Sequence, residues 1–298
     1  MTKADFAEPA LTLAPGSRVG IIAGGGSLPA EVAQGLARQG HPPFIVMVEG
    51  EVDREADFAP YERATLALED VGSLLPLLKR QRISHLVLAG EIKRRPRLSR
   101  VRPTPGLLAI IPSVIMALAR GDDGLLKVVT SGLEKRGIAV VGAHEIVPDL
   151  TAGEGTLTAT SPRQSDWRDI EAARAAAKAI GALDIGQAAI AIGGRAIALE
   201  GIEGTAALLE RTRELRHHGR LAGKTRGVLA KCAKPGQELR ADLPSIGPKT
   251  VDAAHAAGLV GIAVEAGRSL ILEGPETLAR ANALGLFIVG LPHKEAGS

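Results

Sequence analysis

The 298-residue chain is 45% hydrophobic with a formal charge of +3, ample apolar material for buried cores in two domains and too small a charge excess to mark a nucleic-acid binder. Aromatic residues make up 2% of the chain, which leaves few faces on which bases could stack, so no nucleic-acid partner is expected. The one cysteine, Cys232, cannot form an internal disulfide, no apolar run reaches the roughly 18 residues of a membrane span, and the N-terminal "MTKADFAEPALTLAPGSR" carries acids and prolines where a signal peptide is apolar. These features predict a soluble, cytoplasmic protein, with peripheral contact at the cytoplasmic face of the inner membrane still allowed.

From Arg18 the order is apolar strand, glycine loop, helix, strand: "RVGIIA", "GGGSLP", "AEVAQGLARQG", "FIVMVEG". This is the opening of a parallel α/β unit. A short strand "ATLALED", a helix "VGSLLPLLKRQ" despite Pro76, and a buried strand "HLVLAG" continue it, followed by helical patterns at 106–120 and 122–137 and a strand "IAVVGAHE". The predicted N-terminal domain, 18–150, is a Rossmann-like parallel sheet preceded by an extension at 1–17. The stretch "PDLTAGEGTLTATSP" reads as a linker.

Beyond it, "SDWRDIEAARAAAKAIG" is an alanine-rich helix and "QAAIAIGGRAIALEG" two strands about a Gly-Gly turn. Helix "TAALLERTRELRHH", strand "GVLAK", helix "KTVDAAHAAG", strands "GIAVEAG" and "SLILEG", helix "PETLARANALG" and strand "LFIVGL" complete a mixed α/β functional domain at 151–298.

Several constellations suggest ligand chemistry. Gly24, Gly25 and Gly26 lie between a strand and a helix, where backbone N–H groups could approach a phosphate; a tight turn without ligand is the competing account. The spacing departs from the dinucleotide fingerprint at Pro29, although Glu49 ends the second strand where a ribose-binding acid would sit. Lys93 to Arg102 holds six basic residues without an acid, suited to a diphosphate, to anionic headgroups or simply to solvent. Asp122 and Asp123 open a helix, and capping alone could explain one of them. His144 and Glu145 end a strand; Asp184, Gln187, Glu200, Glu203 and Thr205 occupy turns and helix starts where some serve only as caps.

The densest candidate is "KCAKPGQELRADLPSIGPKT". Lys231 and Lys234 offer cations to phosphate oxygens, Arg240 can bind bidentately, and Asp242 is the acid among them. An ionised Asp242 could hold Mg²⁺, which suits metal-assisted attack of water on a phosphoanhydride; a surface salt bridge is the alternative.

The pieces "GIIAGGGSLP", "ARGDDGLL", "GAHE", "LDIGQ", "EGTAALL" and "KCAKPGQELRADLPSIGPKTV", in this order from Gly20 to Val251, resemble the UDP-2,3-diacylglucosamine pyrophosphatases of the LpxI type, which act in lipid A biosynthesis. Each piece is weak alone, and the ordered set is specific. The resemblance implies hydrolysis to UMP and 2,3-diacylglucosamine 1-phosphate, Mg²⁺ or another divalent cation as cofactor, two domains enclosing the lipid-nucleotide, and a homodimer. It makes Asp242 the essential, metal-holding aspartate, with Lys231, Lys234, Gln237 and Arg240 beside it as substrate ligands. Gly24, Gly25, Gly26, Ala89, Gly90 and Glu91 would line the substrate cleft, joined by Asp122, His144, Glu203 and Thr205. Two other readings compete: an NAD-dependent oxidoreductase built on the glycine loop and Glu49, and a nucleotide-sugar sensor without turnover.

Overall fold

A computed structural model describes residues 11–14, 16–94, 122–221 and 223–293. The predicted helix at 106–120 and most of the basic run after Arg94 lie outside them. The chain divides into two compact units, one of residues 1–149 with Arg240–Asp242, the other of residues 150–239 and 243–298.

The N-terminal unit is built on a sheet of β1 (Val19–Ala23), β2 (Phe44–Val48), β3 (Arg63–Leu66), β4 (His85–Ala89) and β5 (Ala139–Val140), in the order β3-β2-β1-β4-β5. All pairings are parallel, with Ile21 beside Ile45 on one side and beside Val87 on the other. Strand β2, "FIVMV", is buried along its whole length, as expected for a parallel strand covered on both faces. Helix α1 (Leu28–Arg38) returns from β1 to β2 and buries Val32, Ala33 and Leu36. Helix α2 (Leu74–Arg80) begins three residues later than the predicted start at Val71, after a 3₁₀ turn at Leu68–Ser73. That shift puts Pro76 in the first turn, where its missing N–H costs nothing. Helix α3 (Asp122–Glu134) leads into β5, and the predicted strand "IAVVGAHE" stops at Val140 because its second half coils into the short helix α4 (Ala143–Ile146).

The C-terminal unit is mixed. It contains β6 (Gly155–Thr156), helix α5 (Asp166–Ala182), β7 (Ala188–Ile192), β8 (Arg195–Leu199), helix α6 (Gly204–Leu215), β9 (Val228–Lys231), β10 (Ser245–Ile246), helix α7 (Pro248–Ala256), β11 (Gly261–Glu265), β12 (Leu270–Ile271), helix α8 (Gly274–Ala283) and β13 (Phe287–Leu291). The main sheet runs β6-β13-β11-β9-β7-β8, with β13, β11 and β9 parallel and the other pairings antiparallel. Strand β6 lies inside the stretch expected to be a linker, and β10 pairs with β12 in a separate two-stranded sheet; neither has enough apolar residues to betray it. Alternation along the strands feeds two cores: Leu229, Ile262 and Ile288 pack with Leu208, Leu209, Val251 and Ala281, whereas Val228, Ala230, Ala263 and Phe287 pack under Ile170 and Ala173 of α5. A Cβ at Gly261 would lie 2.2 Å from the Phe287 ring, so glycine there makes room for one of the few aromatic side chains. Gly193 and Gly194 take φ of +63° and +79° between β7 and β8, as a two-residue hairpin requires.

Candidate functional site

In a parallel sheet, ligands gather beyond the strand C-termini at the point where the strand order reverses, which in the N-terminal unit is the gap between β1 and β4. The glycine loop after β1 and the Gly90–Glu91 turn after β4 meet there. Gly24 donates its N–H to the Ala89 carbonyl (2.9 Å), Gly25 to the Glu91 carbonyl (2.8 Å), and Glu91 returns an N–H to Gly25 (3.1 Å). Gly26 donates to Asp53 Oδ1 at 3.0 Å. The three amides expected to face a phosphate are therefore already turned onto protein acceptors. Glycine serves a different purpose here, the close approach of two loops: a Cβ on Gly24 would sit 2.4 Å from the Glu91 carbonyl oxygen, and one on Gly90 2.6 Å from that of Gly25. This arrangement also withholds the amide cradle that a dinucleotide pyrophosphate would need.

Sequence reasoning missed the acids that organise this edge. Besides Asp53, Glu51 accepts the backbone N–H groups of Lys93 (2.7 Å) and Arg94 (3.2 Å), and Arg94 reaches Glu69 Oε1 at 3.1 Å. These acids follow β2 and β3, which the sheet order places beside the glycine loop; Glu49, singled out by its strand-end position, is exposed. Ala89 is buried, whereas the Glu91 side chain is exposed and lies 3.9 Å from Lys93 Nζ.

At the far end of the same edge, α4 carries His144. Glu145 accepts the Gly142 N–H at 2.6 Å and so closes the turn. His144 is half-buried, its Nδ1 is buried without a hydrogen-bond partner, and burial lowers its pKa against the opposing pull of Glu145. A Cβ on Gly142 would meet both the His144 ring and, at 3.3 Å, the Arg240 Cα. Thus Arg240–Asp242 runs past the His144 corner, held by Arg240 on Glu134 Oε1 (2.5 Å) and on the Val140 carbonyl (3.3 Å). The Asp242 side chain is exposed. Asp122 opens α3.

The other expected ligands belong to the C-terminal unit. Lys231, at the end of β9, is 6% exposed and donates from Nζ to the Ser245 carbonyl at 2.9 Å. The expected free phosphate ligand is thus a buried cation that fastens β10. Gln237 is also buried; its Oε1 accepts the Lys234 N–H (2.9 Å) and closes the Pro235–Gly236 turn. Lys234 reaches Asp184 at 2.7 Å. Glu203 pairs with Arg211 at 3.1 Å, and Thr205 donates to Glu200, which also accepts the Gln187 N–H. Of the five residues expected to act together, then, Arg240 and Asp242 share one unit, and Lys231, Lys234 and Gln237 share the other. Behind β9, burial pushes the Cys232 thiol up to about 12, with Glu265 adding to the shift, which disqualifies it as a nucleophile. Burial also acts to raise the Glu265 carboxyl, but Lys178 at 3.0 Å and the Ala233 N–H outweigh it and hold that acid below its usual range.

Among the described residues, no three His, Cys, Asp or Glu side chains converge on a common metal position, and no helix is long and apolar enough to cross a membrane. The LpxI N-terminal domain family model matches residues 18–150, and the LpxI C-terminal domain model residues 153–289. The chain belongs to the LpxI family. It is 38% identical over 279 residues to UDP-2,3-diacylglucosamine pyrophosphatase LpxI of Caulobacter vibrioides, covering 93% of this chain and 99% of that one. A solved structure, CobK precorrin-6A reductase, aligns over 95% of this LpxI-family chain and 90% of its own at 13% identity and a TM-score of 0.32, too slight a likeness to bear on the fold.

Proposed function

We propose that this protein hydrolyses the diphosphate of UDP-2,3-diacylglucosamine to UMP and 2,3-diacylglucosamine 1-phosphate. Membership in the LpxI family and the activity for which the Caulobacter relative is named support the reaction. The observation that carries the site is the seating of Arg240–Asp242 beside the His144 corner of the N-terminal sheet edge.

In this reading water adds to one phosphorus, the bridging P–O bond breaks, the displaced phosphate leaves with the electron pair, and the proton lost by the water passes to solvent. Asp242 is an exposed carboxylate, and a hard cation that keeps most of its water is commonly bound by one or two carboxylates together with substrate phosphates. The donor set therefore fits Mg²⁺ arriving with the substrate, held by Asp242. When bound there, the cation supplies Lewis acidity toward a phosphoryl oxygen and toward water. Arg240, anchored on Glu134, fixes the position of Asp242. Burial keeps His144 neutral near pH 7, so that the ring nitrogen opposite the buried Nδ1 can make one hydrogen bond with the substrate.

Purified protein incubated with Mg²⁺ and UDP-2,3-diacylglucosamine should release UMP, and chelation of the cation should stop the release. Recovery of intact substrate would support a sensor instead, and saturable NAD binding with hydride transfer an oxidoreductase.

A further inference from the structure

Four aliphatic side chains flanking β7 and β8 of the C-terminal unit stand in solvent. Leu183 is 72% exposed, Ile185 50%, Leu199 43% and Ile202 106%. Leu183 and Ile185 precede β7, Leu199 ends β8 and Ile202 follows it, so they lie on the neighbouring segments that enter β7 and leave β8. These loops are locked by the Gln187 N–H on Glu200 (2.8 Å), the Glu200 N–H on the Ala188 carbonyl (2.9 Å), and Gly186, whose Cβ would lie 2.4 Å from the Glu200 carbonyl oxygen. Asp184, between Leu183 and Ile185, takes φ of +55°, a conformation uncommon for a non-glycine residue. The turn is thus held in a shape that lifts aliphatic groups away from the core.

We infer that this platform is a membrane-docking surface, in which Leu183, Ile185, Leu199 and Ile202 enter the acyl boundary of a lipid bilayer. The choice of lipid rests on the proposed diacylated substrate. Two observations on the surface itself favour a bilayer over a second copy of the chain. Four such side chains offer on the order of 400 Å² of apolar area, well below the roughly 800 Å² per partner of a standard protein interface. Strand β8, which borders the platform, is in irregular register with β7 between Ile190 and Ala191, a feature that discourages strand addition by another copy.

The rim carries both signs. Lys234 pairs with Asp184 on one side, and Arg211 pairs with Glu203 on the other while donating to the Leu199 carbonyl. Affinity should therefore come from aliphatic insertion, with little dependence on headgroup charge or salt.

The test is sedimentation with vesicles of phosphatidylethanolamine and phosphatidylglycerol, alongside vesicles of neutral lipid only, for wild type and an Ile185→Ser/Ile202→Ser variant. Both sites are solvent-exposed, so the variant keeps its fold, which circular dichroism verifies. The wild type should bind both vesicle types, and the variant should bind at least about tenfold more weakly, with unchanged UMP release from detergent-dispersed substrate. Failure of the wild type to sediment with vesicles, or equal binding by the variant, would overturn the proposal. So would a change in oligomeric state in the variant, because a second copy would then occupy the platform. Absence of UMP release from dispersed substrate by the wild type would instead overturn the proposed reaction, and vesicle binding would be read independently of it.

Discussion

The guanidinium of Arg240 donates to the Glu134 carboxylate at 2.5 Å, joining residues 106 positions apart. Half-exposed pairs of this kind contribute about 1 kcal/mol or less to stability, so the consequence of this one is positional: it fixes the segment that carries Asp242. Arg240→Ala should lower kcat by about tenfold to a hundredfold, the scale of a displaced reacting group, while the unfolding midpoint barely moves. Glu134→Gln, which keeps an acceptor, should retain most of the turnover. Steady-state kinetics and thermal unfolding of the two variants check this.

Glycine in the N-terminal loops is demanded by contact and conformation together. Gly90 has φ of +88° with a would-be Cβ 2.6 Å from the Gly25 carbonyl oxygen, whereas Gly40 has φ of +82° with nothing near it. Gly40→Ala should cost about 1 kcal/mol from backbone strain alone. Gly90→Ala must add the clash and should cost about 3 kcal/mol or more, or push the two loops apart. Urea denaturation of both variants separates the two contributions.

The fold was legible in the sequence wherever apolar runs were long. "FIVMV" and "GIAVE" could be buried only as strands, and the Gly-Gly pair between two apolar runs announced its hairpin. Elements of two residues, such as β6 and β10, were not legible, because a backbone ladder to a distant strand leaves no periodicity. The candidate site was legible in residue type more than in arrangement. The basic residues around Asp242 looked like one cluster in sequence, yet Lys231 is spent on the Ser245 carbonyl and Arg240 on Glu134. Asp53 and Glu51 escaped notice because their importance follows from sheet order, which brings the turn after β2 against the loop after β1.

His144 gives the site a pH dependence of known sign. Burial lowers its pKa from the ordinary 6.5, so between that value and the lower folded value the unfolded chain binds more protons than the folded one. Its contribution to stability is complete above about pH 6.5 and is lost as the pH falls through the folded pKa. His144→Gln should flatten the fall in unfolding free energy over that range, as measured by urea denaturation at a series of pH values. Should the variant decline as steeply as the wild type, the buried neutral imidazole is not the group responsible.

The most direct measurement for the proposed reaction is UMP release by Asp242→Asn in the presence of Mg²⁺ and UDP-2,3-diacylglucosamine. The substitution preserves shape on an exposed side chain and removes its charge, so circular dichroism and the unfolding midpoint should match the wild type. Release should fall by at least about a hundredfold. A folded Asp242→Asn protein that releases UMP at the wild-type rate would contradict the assignment.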